Sequence, residues 1–240
     1  MGSIVPAIIP TSREDLEYKL ALLHGICEEV QIDIVDGRYA MPASWPYIGD
    51  PSEPSRMLSE GALFPYAGEF RFEVDLMTTD VTETVAQWAE LGATRLTVHA
   101  TSTRQLSLLF THIREQLGHD TDFAPGLLSL GLAIGADTDI ALIEPYLDRV
   151  EYVQFMGIKT IGHQGEPFDM GVLPRISAFK KKYPRIEITV DGGVSLQTAP
   201  KLLQIGVSRL VVGSAIWKAL DPVQAYRELA ALTITHGIYG

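Results

Sequence analysis

The chain has 240 residues and a formal net charge of −11, with 30 acidic against 19 basic side chains. Such an excess of negative charge repels polyphosphate, which argues against a nucleic-acid partner. Hydrophobic residues make up 46% and charged residues 20% of the chain, values typical of a folded globular protein. The length suits one large domain or two small ones, and no composition shift marks a boundary. We therefore expect a single domain over residues 1–240.

Cys27 is the one cysteine of the sequence, which excludes an intrachain disulfide and a thiolate metal cluster. The first ten residues are apolar, but they lack a basic leader and are interrupted by Pro6 and Pro10. They predict neither a signal peptide nor an anchor. No apolar run approaches the roughly 18 residues of a membrane span. We expect a cytoplasmic protein with no membrane partner.

Short apolar runs rich in β-branched residues alternate with longer amphipathic runs. Strands are predicted over residues 4–9, 30–35, 70–77, 93–99, 128–134, 150–156, 186–190 and 209–212. Helices are predicted over residues 12–26, 82–91, 103–117, 138–147, 170–182 and 196–205. Residues 36–68 hold five prolines and predict a long loop with one short helix near 55–60. Tyr39 and Trp45 of this loop are candidates for a lid or an oligomer contact.

Eight strands, each followed by a helix or a helix-bearing connection, favour a single (β/α)8 TIM barrel. The rival architecture is an open doubly wound sheet. No G-x-G-x-x-G motif follows the first strand, which weakens that rival, and we expect no nucleotide cofactor. In a barrel of this kind the chemistry lies at the carboxyl ends of the strands.

Glycine-rich turns follow the seventh and eighth predicted strands. Asp191 is followed by Gly192 and Gly193, and the last strand is followed by Gly213 and Ser214. Glycine lets backbone N–H groups approach an anion closely, and barrels of this class commonly bind phosphate in these two loops. The alternative is a pair of tight turns that need glycine for their geometry. The occurrence of the feature in both loops favours phosphate.

Three acidic side chains are expected to point into the barrel mouth: Asp33, Asp75 and Asp191. Buried acids of like charge raise one another's pKa or need a cation between them, and both cases suit general acid/base work. The alternative for a single aspartate at a strand end is a helix cap. That alternative is weakest for Asp33, which interrupts an apolar stretch.

Seven motifs lie in the same order as motifs of one known family, from the second strand to the last. They are residues 31–37 (QIDIVDG), 73–77 (EVDLM), 96–100 (LTVHA), 131–138 (GLAIGADT), 156–158 (MGI), 190–194 (VDGGV) and 213–216 (GSAI). Together they resemble the ribulose-phosphate 3-epimerases. The resemblance implies a ribulose-phosphate-binding barrel that epimerises a phosphorylated sugar, a ketose phosphate. It also implies that Asp33 and Asp191 exchange a proton with the substrate through an enediolate.

The metal ligands of the resembling family are changed in this chain. The family holds a divalent metal with two histidines and two aspartates, and here Gln31 and Asp75 stand at the histidine positions. We expect none of the six histidines to lie near the second and third strands at the mouth. A zinc site, which favours imidazole, is therefore not expected. Gln31, Asp33, Asp75 and Asp191 could hold magnesium or manganese through oxygen.

Other candidate binding residues follow the fourth and sixth strands. The loop at residues 160–166 replaces the family's P-G-F-G-G-Q, yet its Gly162 and Gly165 still offer backbone N–H groups to phosphate. Lys159 could add positive charge at the mouth, or it could point to solvent. His99 could reach the substrate, or it could be a packed histidine satisfied by its neighbours.

Two further functions stay open. Residues 75–80 (DLMTTD) resemble the D-x-K-x-x-D strand of hexulose-phosphate synthases and phosphate-sugar decarboxylases, but Met77 stands at the position of the essential lysine. Methionine donates no proton, which demotes the decarboxylase and weakens the aldolase. The other alternative is a catalytically silent relative that binds a phosphosugar. For each function we expect a phosphorylated sugar as ligand and a homo-oligomer.

Overall fold

The protein, analysed as a computed structural model, is a closed barrel of eight parallel strands in sequence order. The structure describes residues 2–79, 81–119, 128–162 and 164–236. The strands are β1 (Ser3–Ile8), β2 (Glu29–Val35), β3 (Arg71–Met77), β4 (Ala93–His99), β5 (Ser129–Ile134), β6 (Tyr152–Met156), β7 (Glu187–Asp191) and β8 (Arg209–Val212). The barrel closes where β8 pairs with β1. The predicted (β/α)8 TIM barrel is confirmed.

Helices follow most of the strands. They are α1 (Arg13–Leu23), α2 (Glu53–Ser59), α3 (Val81–Glu90), α4 (Leu106–Leu117), α5 (Val172–Lys182), α6 (Ala199–Gln204), α7 (Ser214–Trp217) and α8 (Pro222–His236). In the part of the chain that the structure describes, no helix combines the length and the apolar composition that a membrane crossing requires.

Strand β3 alternates between an apolar outer face and a polar inner face. On β3, Val74 and Leu76 belong to the hydrophobic core that the helices cover. Glu73 and Asp75 point the other way, since they bond to side chains of β8 and of β6 across the barrel. Both faces are buried, so the strand sequence reads as a nearly continuous buried run although its residues alternate in chemistry.

An ion cluster fills the barrel at the amino ends of the strands. Arg209 donates to Glu29 at 2.7 Å and to Glu73 at 2.9 Å. Arg95 donates to Glu187 at 2.8 Å, and its guanidinium lies 3.9 Å from the ring centre of Tyr152. Buried charges are stable only when they are paired in this way, because each ion has given up its hydration. The cluster therefore couples β2, β3, β4, β7 and β8 at one end of the barrel.

The long loop after β2 is anchored to the barrel rather than suspended over it. Ser44 Oγ accepts from the backbone of Val35 and donates to the carbonyl of Asp33, both at 2.9 Å. Trp45 is buried, packs edge-on against Trp88 and donates its indole N–H to Glu53. The prediction that Trp45 belongs to a lid or an oligomer contact is therefore wrong, because its indole is part of the core.

Helix prediction was wrong in two places. Residues 138–147 form two short 3₁₀ turns, Ile140–Leu142 and Glu144–Tyr146, instead of one α-helix. Pro145 lies in this segment and has no backbone N–H to continue a helical ladder. The helices α7 and α8 close the chain after β8 and were not predicted.

Arg209 carries the first testable prediction. Replacing Arg209 by Met removes a partner of the buried Glu73 and of the part-buried Glu29, so we expect the free energy of unfolding to fall by about 3–5 kcal/mol. Arg71→Met is the matched control, because Arg71 is exposed and its ion pairs are worth less than about 1 kcal/mol. Urea unfolding followed by circular dichroism measures both values. Equal losses in the two variants would show that burial of the cluster does not matter.

Candidate active site

Three buried carboxylates meet at the carboxyl ends of the strands. Asp33 lies near the end of β2, Asp75 lies on β3 and Asp191 is the last residue of β7. Their relative exposures are 4%, 0% and 9%, and one oxygen of each lies within 4.8 Å of the others. The sequence predicted these three side chains at the mouth, and the structure brings them together. Like charges this close repel strongly unless protons, donors or a cation lie between them.

The Gln31 side chain joins two of the three acids. Its Nε2 donates to Asp33 Oδ1 at 2.7 Å and to Asp191 Oδ2 at 2.9 Å. Gln31 is fully buried, and its Oε1 has no hydrogen-bond partner among the described residues. A buried amide oxygen without a donor lowers stability by about 1–3 kcal/mol. The Gln31 amide therefore stabilises the two acids at the cost of its own unsatisfied oxygen.

Asp75 is held from two other strands. His99 Nε2 on β4 is hydrogen-bonded to Asp75 Oδ1 at 2.9 Å, and Gln154 Nε2 on β6 donates to Asp75 Oδ2 at 2.9 Å. The expectation that no histidine lies near β2 and β3 is therefore wrong. Adjacent strands pair Asp75 with Thr97, so the side chain of His99, two residues further along, reaches Asp75. The Tyr39 ring covers His99 at a centroid distance of 5.3 Å.

Burial sets the protonation of the two candidate acid/base residues. Loss of hydration raises the pKa of Asp33 well above its usual range, and the charges of Asp191 and Asp75 raise it further. Burial and the charge of Asp75 raise the pKa of Asp191 to about 7, although the Gln31 amide opposes the shift. Near neutral pH this pair therefore holds a proton that ordinary aspartates would have lost.

One cavity, open to solvent, joins Asp33 and Asp191 to the glycine loops. The predicted residues that line it are Asp33, Asp191, Gly162, Gly165, Gly192, Gly193, Gly213 and Ser214. Met77, Met156, Gln164 and Glu166 are also among its described walls. Gln31, Asp75 and His99 are buried and are not among these lining residues. Lys159 is exposed on the loop after β6 and is not among the described lining residues.

The glycines of the β7 loop are required by close packing as well as by backbone conformation. Gly193 has φ +68°, and a Cβ there would lie 2.6 Å from the Cα of Phe168. Gly192 has φ +98°, and a Cβ would lie 2.7 Å from Ile158. A side chain at either position would be strained and would overlap its neighbour. The bare backbone that results is open to a ligand in the cavity.

Gln164 crosses the mouth from the loop after β6. Its Nε2 donates to the carbonyl of Ala7 at the end of β1 at 3.1 Å, and its amide lies directly on Gly213. Trp217 donates its indole N–H to the same carbonyl at 2.6 Å. The β6 loop is therefore tied to the opposite side of the barrel, over the predicted phosphate residues.

The donor set of the three acids fits a divalent cation. Three carboxylate oxygens converge within 4.8 Å, and the neighbouring Gln31 Oε1 is buried and lacks a donor within the described chain. Carboxylate and amide oxygens are the ligands that magnesium and manganese prefer, whereas zinc favours nitrogen and sulfur. To offer its oxygen to such an ion, the Gln31 amide would have to turn and exchange its hydrogen bonds to Asp33 and Asp191 for a bond to the ion.

The sequence profile described as the ribulose-phosphate 3 epimerase family matches residues 56–217, more than half of the chain. The chain belongs to the ribulose-phosphate 3-epimerase family. A ribulose-phosphate 3-epimerase of Bacillus subtilis is 27% identical over 210 residues, which are 85% of this chain and 87% of that protein. One of Schizosaccharomyces pombe is 27% identical over 151 residues, which are 63% of this chain and 61% of that protein.

Solved structures agree on the architecture of this family member. A crystal structure of KGPDC from Streptococcus mutans, solved as a ligand complex, superposes with a TM-score of 0.69. The superposition covers 100% of this chain and 99% of the other, at 16% sequence identity. An identity this low shows the shared barrel fold and no more.

Sequence reasoning missed several residues of the site. Gln154 was not singled out, although it interrupts an apolar strand in the same way as Asp33 does and could have been found by that signal. Gln164 gave no such signal, because its position depends on the path of the loop after β6. Tyr39 was predicted as part of a lid or an oligomer contact, and its contact with His99 was not foreseen. Asp80, the last residue of the motif that resembles the synthases, lies outside the described residues.

Stability against pH tests the proton held by the acids. Because the pKa of Asp191 is about 7 in the folded protein and ordinarily 3.8, the folded state binds more protons between these values. Stability is therefore lost as the pH rises through that range. The side chain at position 191 cannot ionise in Asp191→Asn, so this variant does not lose that stability. Its free energy of unfolding relative to wild type should therefore increase by on the order of 3 kcal/mol between pH 4 and pH 8.

Urea unfolding of both proteins across this pH range, in buffer with a chelator, measures the difference. A difference that does not change with pH would show that Asp191 ionises normally in the folded protein.

Proposed function

We propose that the chain is a ribulose-phosphate 3-epimerase-like isomerase that acts on a ketose phosphate by two-base proton transfer. One observation carries the proposal: Asp33 and Asp191 line the same cavity as the glycine loops of β6, β7 and β8. A substrate with its phosphate on the glycines would place its sugar carbons beside the two carboxylates.

Proton transfer on two faces of one carbon needs one acid and one base. Asp33 lies on β2 and Asp191 on β7, and the Gln31 amide between them holds both in place. Repulsion in a buried pair favours a state with one proton, in which one carboxylate is a base and the other an acid. Removal of the proton beside the carbonyl gives an enediolate, and return of a proton from the other side inverts the carbon.

The phosphate is assigned to the glycine end of the cavity. Gly162, Gly165, Gly192, Gly193, Gly213 and Ser214 form this end and expose backbone without bulky side chains. Relatives that carry the name ribulose-phosphate 3-epimerase support a phosphorylated sugar as the substrate class. The same end of the cavity would serve a silent relative that only binds the sugar.

The enediolate needs positive charge near its oxygens. Asp33, Asp75, Asp191 and Gln31 would hold a magnesium or manganese ion through oxygen. When bound, such an ion polarises the substrate carbonyl as a Lewis acid. His99 and Gln154 keep Asp75 oriented toward the other two acids.

A cytoplasmic homo-oligomer completes the proposal. Met41 and Ile48 of the loop after β2 are exposed by 68% and 55%. Contiguous exposed apolar patches mark interaction sites, and these two side chains of one loop are our candidates for a subunit contact. Soluble sugar metabolism is consistent with the names of the family members.

Solvent exchange tests the reaction directly. Wild-type protein incubated with ribulose 5-phosphate in deuterated water should label C3, because the abstracted proton exchanges with solvent. Asp191→Asn and Asp33→Asn should each reduce labelling by at least about 100-fold, the usual weight of a general acid or base. Nuclear magnetic resonance of the sugar measures the label.

Phosphate binding to the same variants separates the alternatives. Both variants should still bind inorganic phosphate, since the glycine end is unchanged. Binding without labelling of any ketose phosphate by the wild type would favour the silent relative. Release of formaldehyde or another aldehyde would favour the aldolase, although Met77, which lines the cavity, donates no proton.

Metal content tests the cation. Protein purified without chelator should contain about one equivalent of magnesium or manganese, measured by mass spectrometry of the metal. Asp75→Asn should lose the ion while the barrel stays folded, because an amide replaces the carboxylate at nearly the same volume. A metal-free protein that still labels C3 would remove the ion from the proposal.

A further inference from the structure

The cavity carries an electrostatic difficulty for a phosphorylated ligand. Asp33, Asp191 and Glu166 line it, and no lysine or arginine is among its lining residues in the ranges that the structure describes. The phosphate group of a sugar phosphate adds nearly two further negative charges. Backbone N–H groups supply only partial positive charge, so a full cation near the glycine end would strengthen binding.

We infer that Lys218 supplies this positive charge to the phosphate end of the cavity, an inference that rests on the proposed function. Lys218 is the residue directly after α7, and its backbone N–H donates to the carbonyl of Ser214 at 3.0 Å. Its side chain folds back toward the loop after β6. A methyl group built on Gly165 would overlap Lys218 Nζ and lie 3.5 Å from its Cε. The ammonium group therefore lies against Gly165, a wall of the cavity.

The turn that carries Lys218 is fixed to the barrel. Trp217, its neighbour, donates its indole N–H to the carbonyl of Ala7, and Ile216 is fully buried. The Lys218 backbone is held by this turn, while its long side chain keeps the freedom to meet a ligand. Gly165 has φ +103°, so the loop presents bare backbone beneath the ammonium group.

Lys218 forms no ion pair with any residue that the structure describes. Two other lysines differ in this respect: Lys19 pairs with Asp15 at 2.9 Å, and Lys182 pairs with Glu144 at 2.6 Å. Lys159, the cation predicted from sequence, and Lys218 are both exposed, and neither is among the described lining residues of the cavity. Lys218 is the better placed of the two because its ammonium group lies against Gly165, which does line the cavity.

A charge at this position acts on binding rather than on proton transfer. Lys218→Met removes the charge and keeps most of the side-chain length. It should weaken inorganic phosphate about 5–10-fold at low salt, an effect that falls as salt screens the charge. The KM for ribulose 5-phosphate should rise by a similar factor while kcat stays nearly constant. Lys218→Arg should retain most of the wild-type affinity.

Isothermal titration with inorganic phosphate at low and high salt is the decisive measurement, with Lys159→Met as the competing variant. Lys201→Met is the control, because Lys201 is an exposed lysine of α6 that has no part in the cavity wall. Equal affinity of wild type and Lys218→Met, or an equal loss in Lys201→Met, would overturn the inference and leave the proposed function intact. A larger loss in Lys159→Met than in Lys218→Met would assign the charge to Lys159 instead. A wild type that binds no phosphate would overturn both.

Discussion

Repulsion among three buried carboxylates is the constraint on which the rest of the barrel mouth depends. Asp33, Asp75 and Asp191 lie within 4.8 Å of one another in a site shielded from water. Three side chains offset this repulsion: an amide from β2, an amide from β6 and an imidazole from β4, each hydrogen-bonded to at least one of the acids. Because each of these partners comes from a different strand, the closed barrel is what makes the arrangement possible.

Buried polar and charged groups with matched partners continue along the barrel axis below the acids. Below the acids lie Gln31, Gln154 and Thr97, and below them the paired arginines and glutamates around Arg209. In a barrel interior built from such groups, each ion or dipole that loses its partner costs stability, because it has given up its hydration. Side chains of the interior are therefore interdependent, and a change at one layer is felt by the next.

The strands could be predicted from sequence because both of their faces are buried, which leaves long runs rich in β-branched residues. The acids could be predicted because charge inside such a run is conspicuous, as at Asp33. Contacts between strands could not be predicted in detail. The pairing of His99 with Asp75 depends on the register of β3 and β4, and the place of Lys218 on Gly165 depends on how two loops cross. Pro145 prevented the helix that the apolar spacing of residues 138–147 predicted.

The ion cluster at the amino ends of the strands limits how a ligand can reach the cavity. Arg209 and Arg95, with their glutamates, fill the barrel where it would otherwise open. Among the residues that the structure describes, the cavity therefore opens at the carboxyl ends of the strands, where Gln164 of the loop after β6 bonds to Ala7. A ligand of this cavity would therefore enter and leave past the same loop.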